Sequence, residues 1–63
     1  MDRWKEYEQK RVYVQLKSGR EYSGIVLEVE ISFGNDAFIT LKDKFNHRVG
    51  FLVSEIKLIE VQK

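Results

Sequence analysis

The chain has 63 residues, and its 11 Lys and Arg residues nearly balance 10 Asp and Glu residues, giving a net charge of +1 at pH 7. This length holds one domain (1–63), and the near-neutral balance excludes a protein held to nucleic acid by bulk charge alone. Cysteine is absent and His47 is the single histidine, so we predict no disulfide and no metal site. We also expect no cofactor and no small-molecule substrate. Because domains this small are marginally stable alone, oligomerisation is the stabilising device left open.

The sequence contains no apolar run long enough to span a bilayer, and its first residues, MDRWKEYEQKR, lack the core of a signal peptide. We therefore expect a cytoplasmic protein with no membrane partner. Abundant Lys and Glu without cysteine are typical of a thermophilic or archaeal source.

The first segment, DRWKEYEQK, consists of strong helix formers without a β-branched residue, and Asp2 is suited to cap its start. It predicts one short helix over about residues 2–9. Trp4 and Tyr7 fall three apart, on one face of that helix. So short a helix must dock that face, either on its own barrel or on a neighbouring subunit.

The next segment, VYVQL, alternates apolar and polar residues and predicts a half-buried strand. KSGR follows as a tight turn, in which Gly19 is free to adopt positive φ. In the long stretch EYSGIVLEVEI, the apolar residues lie first on one face of the strand and then on the other. Gly24 lies between these two parts. Since glycine within a strand marks a bend or the close approach of another backbone, we predict a sharp bend at Gly24.

Three further strands are predicted after the loop SFGND: AFITLK, RVGFLV and IKLIEV, with the turn DKFNH after the first of them. Ser54 and Glu55 separate the last two strands and are too few for a comfortable hairpin, so we expect a single helical turn or a corner there. The predicted fold is all-β: a short N-terminal helix (about 2–9) and a five-stranded, strongly bent antiparallel small barrel (about 11–61). We expect the barrel to be closed, since closure removes exposed edges.

The order and spacing of these elements resemble the Sm-like family, which includes the bacterial Hfq branch. The family's first motif is matched by Leu16, Gly19, Tyr22, Gly24 and Val26. Its acidic position is occupied by Glu30. The resemblance implies an Sm-like barrel of the Src-homology-3-like type. It also implies a non-catalytic, homo-oligomeric ring that binds single-stranded RNA.

Family members that bind uridine-rich RNA carry an asparagine soon after the acidic position and an Arg-Gly or Lys-His pair before the last strand. Here Phe33 and Gly34 occupy the region of the expected Met-Asn pair, with Asn35 beside them. Val53 and Ser54 stand where the second pair is expected. The alternative is therefore a structural or adaptor barrel that assembles through strand edges without binding RNA.

Two predicted loops combine aromatic side chains with cations or amides, the chemistry that single-strand binders use. The candidate RNA-binding residues are Phe33, Asn35, Lys42, Lys44, Phe45, His47 and Arg48. An alternative for Phe45 is that it covers an end of the barrel while the charges are merely solvated. Gly19 and Gly24 are assigned structural roles, at the turn and at the bend.

Catalysis is not expected. His47 follows KFN in a short turn, and the sequence names no partner that would orient it as a general base. Glu28 and Glu30 share a strand face and match a pair of catalytic carboxylates, but the simpler interpretation is that they form the solvated face of a strand.

Overall fold

The computed structural model describes residues 3–31, 34 and 36–62. Asp2, Phe33 and Asn35 lie outside the described residues. The strands are β1 (Arg11–Leu16), β2 (Glu21–Ile31), β3 (Ala37–Asp43), β4 (Arg48–Leu52) and β5 (Ile56–Val61). They form one antiparallel sheet in the order β4-β3-β2-β1-β5. The prediction of an all-β chain with five antiparallel strands is confirmed.

One face of this sheet supplies the core. Because apolar and polar residues alternate along the strands, the apolar side chains lie on that face. A single sheet can bury one of its faces only if the sheet curls around that face. Ile56 and Ile59 of β5 pack at the margin of the core. The buried core residues are Val12, Val14, Leu16, Val26, Val29, Ala37, Ile39, Leu41, Phe51 and Val53.

The expectation of a closed barrel is wrong. β4 and β5 form the two ends of the sheet, and among the described residues no ladder of hydrogen bonds joins them. The connection between them is a single 3₁₀ turn, Val53–Glu55, which is too short to fold β5 back against β4. The chain instead carries β5 across to β1. Of the helical turn and the corner that the sequence left open here, the structure has the helical turn. The Glu55 carboxylate stabilises it by accepting a hydrogen bond from the Leu52 N–H at 2.8 Å.

The N-terminal segment forms a five-residue 3₁₀ helix, Arg3–Tyr7, instead of the helix predicted to reach residue 9. Beyond its end, Gln9 and Lys10 form main-chain hydrogen bonds with β2. The Gln9 N–H donates to the Val26 carbonyl at 2.7 Å, and the Val26 N–H donates to the Lys10 carbonyl at 3.0 Å. Gln9 adopts a positive φ of 67° to reach this position.

Trp4 and Tyr7 are partly buried against the core of their own chain. Their ring centroids lie 5.6 Å apart. Of the two docking surfaces that the sequence left open for this face, the structure therefore uses the chain's own sheet.

The irregularity of β2 lies three residues beyond Gly24. The register of β2 against β3 shifts between Val26 and Glu28, so one extra residue is inserted there as a bulge. The bulge explains why the apolar residues switch from one strand face to the other in the sequence. It allows Val26 and Val29, which are three positions apart, to face the same core. Gly24 itself lies where the β3 backbone comes closest: a Cβ atom there would lie 2.1 Å from the Lys42 carbonyl oxygen.

Candidate nucleic-acid interface

The turn between β3 and β4 is held by the side chain of Asp43. Its Oδ1 accepts hydrogen bonds from the Phe45 N–H at 2.8 Å and the His47 N–H at 2.9 Å. The Asn46 N–H donates to the Asp43 carbonyl at 3.0 Å, and Asn46 adopts a φ of 66°. The hydrogen bond from the His47 N–H is the largest cause that lowers the pKa of Asp43. The ionised carboxylate therefore fixes the conformation of this turn.

Phe45 projects from this turn into solvent. Its side chain is 68% exposed, so the interpretation that it covers an end of the barrel is wrong. The Lys44 Nζ lies 5.4 Å from the centroid of the Phe45 ring, and the His47 ring lies 6.4 Å from it. An exposed ring on an ordered turn with a cation beside it is the arrangement on which unpaired bases stack.

The outer face of β1 and β2 lies opposite this turn. Tyr13 pairs across the strands with Ser23, and the Ser23 hydroxyl donates to the Gln62 side-chain oxygen at 3.3 Å. Burial is the first cause that raises the pKa of Tyr13, followed by a hydrogen bond to Glu21 and by the charges of Glu21 and Glu60. The Tyr13 phenol is therefore a neutral hydrogen-bond donor.

The turn and this sheet face border an open cleft of about 710 Å³. This volume lies within the range of sites that hold small organic groups. Acidic side chains also line it, namely Glu21 and Asp43. The basic and aromatic lining residues are Arg11, Lys42, Lys44, Tyr13, Tyr22 and Phe45.

The structure brings three of the predicted site residues into this cleft: Lys42, Lys44 and Phe45. His47 and Arg48 do not line it. Arg48 pairs with Lys42 across β3 and β4, and His47 follows Phe45 on the turn. Phe33 and Asn35 lie outside the described residues.

Several cleft residues were not among the predicted site residues. Strand alternation places Arg11 and Tyr13 together on the outer face of β1, and this signal was available in the sequence. Glu21 follows from the short β1–β2 turn, which sets the register of that hairpin. Gln62 could not be found in this way, because its position depends on the pairing of β5 with β1, the two most distant strands in the sequence.

A second cavity, of about 360 Å³, lies beside the first 3₁₀ helix and is lined by Trp4, Glu6, Tyr7, Lys10 and Val61. Among the described residues, its lining combines two partly buried aromatic rings, Trp4 and Tyr7, with one cation, Lys10. Within the part of the chain that the structure describes, no group of three or more His, Asp or Glu side chains could hold a metal ion. No helix in residues 3–31, 34 and 36–62 is long and apolar enough to cross a membrane.

Comparison of the chain with family models, with curated proteins and with solved structures finds no match.

Proposed function

We propose that this chain is a non-catalytic, Sm-like RNA-binding protein that acts as a homo-oligomeric ring and contacts single-stranded RNA through the cleft. The observation that carries the proposal is the placement of Phe45. This exposed ring, with Lys44 beside it, borders the same cleft as Tyr13 and Arg11. Aromatic rings next to cations are the shared chemistry of proteins that bind single strands.

The charges of the cleft favour stacking over phosphate binding. Arg11, Lys42 and Lys44 are opposed by Glu21 and Asp43, so few phosphates can be neutralised. With three cations among the described residues that line the cleft, log K should fall with log salt by a slope of about 2, since each neutralised phosphate contributes ~0.7. Stacking contributes ~1–3 kcal/mol per base and is available only where bases are unpaired. We therefore expect single strands to bind more tightly than duplexes.

The open ends of the sheet support assembly into a ring. Among the described residues, β4 and β5 each have one neighbour in the sheet, which leaves an outer edge of main-chain groups on each strand. Leu52 on β4 is 38% exposed and Leu58 on β5 is 41% exposed. Pairing of β4 in one copy with β5 in the next would satisfy both edges and cover these side chains, and repetition of one such contact closes a ring.

The test is the affinity of fluorescently labelled single-stranded RNA for Phe45→Ala, measured by anisotropy. We expect Phe45→Ala to weaken binding about tenfold, because one base loses its stacking platform. Lys44→Ala should weaken it less. Phe38→Ala is the matched control: Phe38 is also exposed, at 42%, but does not line the cleft, so its loss should leave the affinity unchanged.

An equal loss of affinity in Phe45→Ala and Phe38→Ala would contradict the placement of RNA in the cleft. Thermal unfolding of each variant shows whether the fold is intact. Because Phe45 is mostly solvated, we expect its unfolding temperature to stay close to that of the wild type.

The second candidate function is an adaptor that assembles through its strand edges without binding RNA. The observation that favours it is the exposure of Phe38, Leu52 and Leu58, which lie on β3, β4 and β5 and outside the cleft. An assembled protein that binds none of a single-stranded RNA, a duplex and a homopolymer would support this candidate over the first.

A further inference from the structure

We propose that the cleft selects guanine, with the Glu21 carboxylate accepting hydrogen bonds from the N1–H and N2–H groups of the base. This inference rests on the proposed function, since it names the base that the RNA-binding cleft prefers. It differs from the preference for uridine-rich RNA found in the Sm-like family, which goes with an asparagine and an Arg-Gly or Lys-His pair that this chain does not match.

Glu21 lies at the start of β2, on the outer face of the sheet and at the cleft. The register pairs Gln15 with Glu21 and Tyr13 with Ser23, so Tyr13 and Glu21 are diagonal neighbours on one face. Both side chains line the cleft. Glu21 is exposed to solvent, so its carboxylate is accessible to a ligand.

The carboxylate can only accept hydrogen bonds when ionised, and it offers about four lone-pair positions. These positions require donors on the ligand, and a phosphate has none at neutral pH. Phosphates are therefore left to Arg11, Lys42 and Lys44. The donors that remain on RNA are the base edges and the ribose 2′-OH, and only the base edges differ between nucleotides, so they alone can give Glu21 a preference.

Guanine is the base whose edge fits a carboxylate. It places two adjacent donors, N1–H and N2–H, on its Watson–Crick edge, so both carboxylate oxygens can accept. Adenine and cytosine place one donor next to an acceptor nitrogen. Uracil places one donor between two carbonyl oxygens, which repel a carboxylate. Bidentate contacts of this kind discriminate between bases by about tenfold or more.

The base would at the same time use the aromatic side of the cleft. Phe45 borders the cleft from the β3–β4 turn, and Tyr13 and Glu21 border it from the sheet. A base that stacks on Phe45 can thus present its edge toward β1 and β2. Stacking by itself tolerates every base, so the preference comes from Glu21.

The experiment compares nine-nucleotide RNAs by fluorescence anisotropy: one of uridine only, one with a single central guanosine, and one with inosine at that position. A single guanosine avoids the self-association of guanine-rich strands. We expect the guanosine strand to bind about tenfold more tightly than the uridine strand. Inosine retains N1–H and lacks the N2 amine, so its strand should fall between the two.

The decisive variant is Glu21→Gln. Its amide has one acceptor oxygen and two donors, so the guanosine preference should fall to less than about twofold. Binding of the uridine strand should be unchanged or tighter, because a negative charge has been removed beside the RNA. Glu28→Gln is the control, since Glu28 is an exposed carboxylate on the outer face of the same strand but lies outside the cleft.

The outcomes separate this inference from the proposed function. If the wild type binds none of the strands, the proposed function fails. If it binds all three with one affinity, RNA binding stands and the guanine preference is overturned. If Glu21→Gln weakens every strand equally, Glu21 has only a structural role and the inference is likewise overturned.

Discussion

Gly24 lies where the backbones of β2 and β3 approach each other closely. A Cβ atom there would meet the Lys42 carbonyl oxygen at 2.1 Å and the Lys42 carbonyl carbon at 2.8 Å. Both are main-chain atoms of β3, which cannot move away without breaking the β2–β3 ladder. Gly50 differs, because a Cβ atom there would meet the end of the Phe38 ring at 2.4 Å. That ring is partly exposed and can rotate into solvent.

We therefore expect Gly24→Ala to lower the free energy of unfolding by ~2 kcal/mol or more, as overpacking against a fixed backbone does. Gly50→Ala should cost less than ~1 kcal/mol, because only a side chain must move. Urea denaturation of both variants measures the difference. Equal stability of the two variants would show that the backbone approach at Gly24 is not rigid.

Asp43 contributes stability that depends on pH. The N–H groups of His47 and Phe45 hold its pKa below the ordinary value of 3.8. The folded state thus favours the ionised form, so this stabilisation is fully present above pH 3.8 and is lost as the pH falls below it. We expect Asp43→Asn, which cannot ionise, to be less stable than the wild type at neutral pH.

The difference between wild type and Asp43→Asn should shrink as the pH is lowered from 5 to 2, in urea denaturation at each pH. A difference that stays constant over this range would mean that ionisation of Asp43 does not hold the turn. Asp43→Ala, which removes both side-chain oxygens, should also speed amide exchange at Phe45 and His47.

A site residue could be predicted from the sequence only where its neighbours in the site are also its neighbours along the chain. Lys44 and Phe45 were predicted because they belong to one short turn, whose composition is visible in five consecutive residues. The other wall of the cleft comes from β1, β2 and the residue after β5. Composition gives no signal for that wall, since only the strand order places Gln62 beside Ser23.

At the scale of the elements, the bounds of β2 were predicted in full, Glu21–Ile31, but its bulge was not. The bulge depends on partners that lie far away in the sequence. The Glu8 carboxylate accepts a hydrogen bond from the Val29 N–H at 2.9 Å, and the Gln9 side-chain amide donates to the Leu27 carbonyl at 3.2 Å. These contacts satisfy main-chain groups of β2 beyond the end of β1, and they also explain why the N-terminal helix ends early.

The open edges of β4 and β5 carry a prediction about assembly. Leu58→Lys places a charge beside the β5 edge, and Leu52→Lys does so beside the β4 edge. Either change should lower the mass measured by light scattering coupled to size exclusion, because charged edge residues oppose strand pairing between copies. Thr40→Lys adds the same charge to β3, which is paired on both sides, and should leave the mass unchanged.

The wild type should have a mass several times its chain mass of 7.5 kDa. A wild-type monomer at high micromolar concentration would contradict the ring. Loss of assembly in Thr40→Lys as well would place the contact elsewhere than at the strand edges.

At the scale of the whole molecule, closure was the feature that the sequence predicted incorrectly. Hydrophobic alternation indicates which face of each strand is buried, but not whether the first and last strands of the order meet. Here the connection Val53–Glu55 fixes β4 and β5 at opposite ends of the sheet. The edge protection that closure would have supplied is therefore left, in our proposal, to neighbouring copies.

Assembly would also change how tightly RNA is held. Within the described part of the chain, one cleft offers a single exposed ring, Phe45, and three cations, so its affinity alone should be modest. A ring repeats the cleft at a fixed spacing, and a strand that occupies one cleft is then at high effective concentration for the next. We therefore expect affinity to rise with strand length until all clefts that one strand can reach are filled.

The most direct test of the account is an NMR titration of the isotopically labelled protein with a short single-stranded RNA that contains one guanosine. We predict that the largest amide shift changes occur at Lys44 and Phe45 in the turn and at Tyr13 and Glu21 on the sheet. A duplex of the same sequence should produce much smaller changes. Changes confined to the first 3₁₀ helix, or no change at saturating RNA, would contradict the assignment of the cleft as the RNA-binding site.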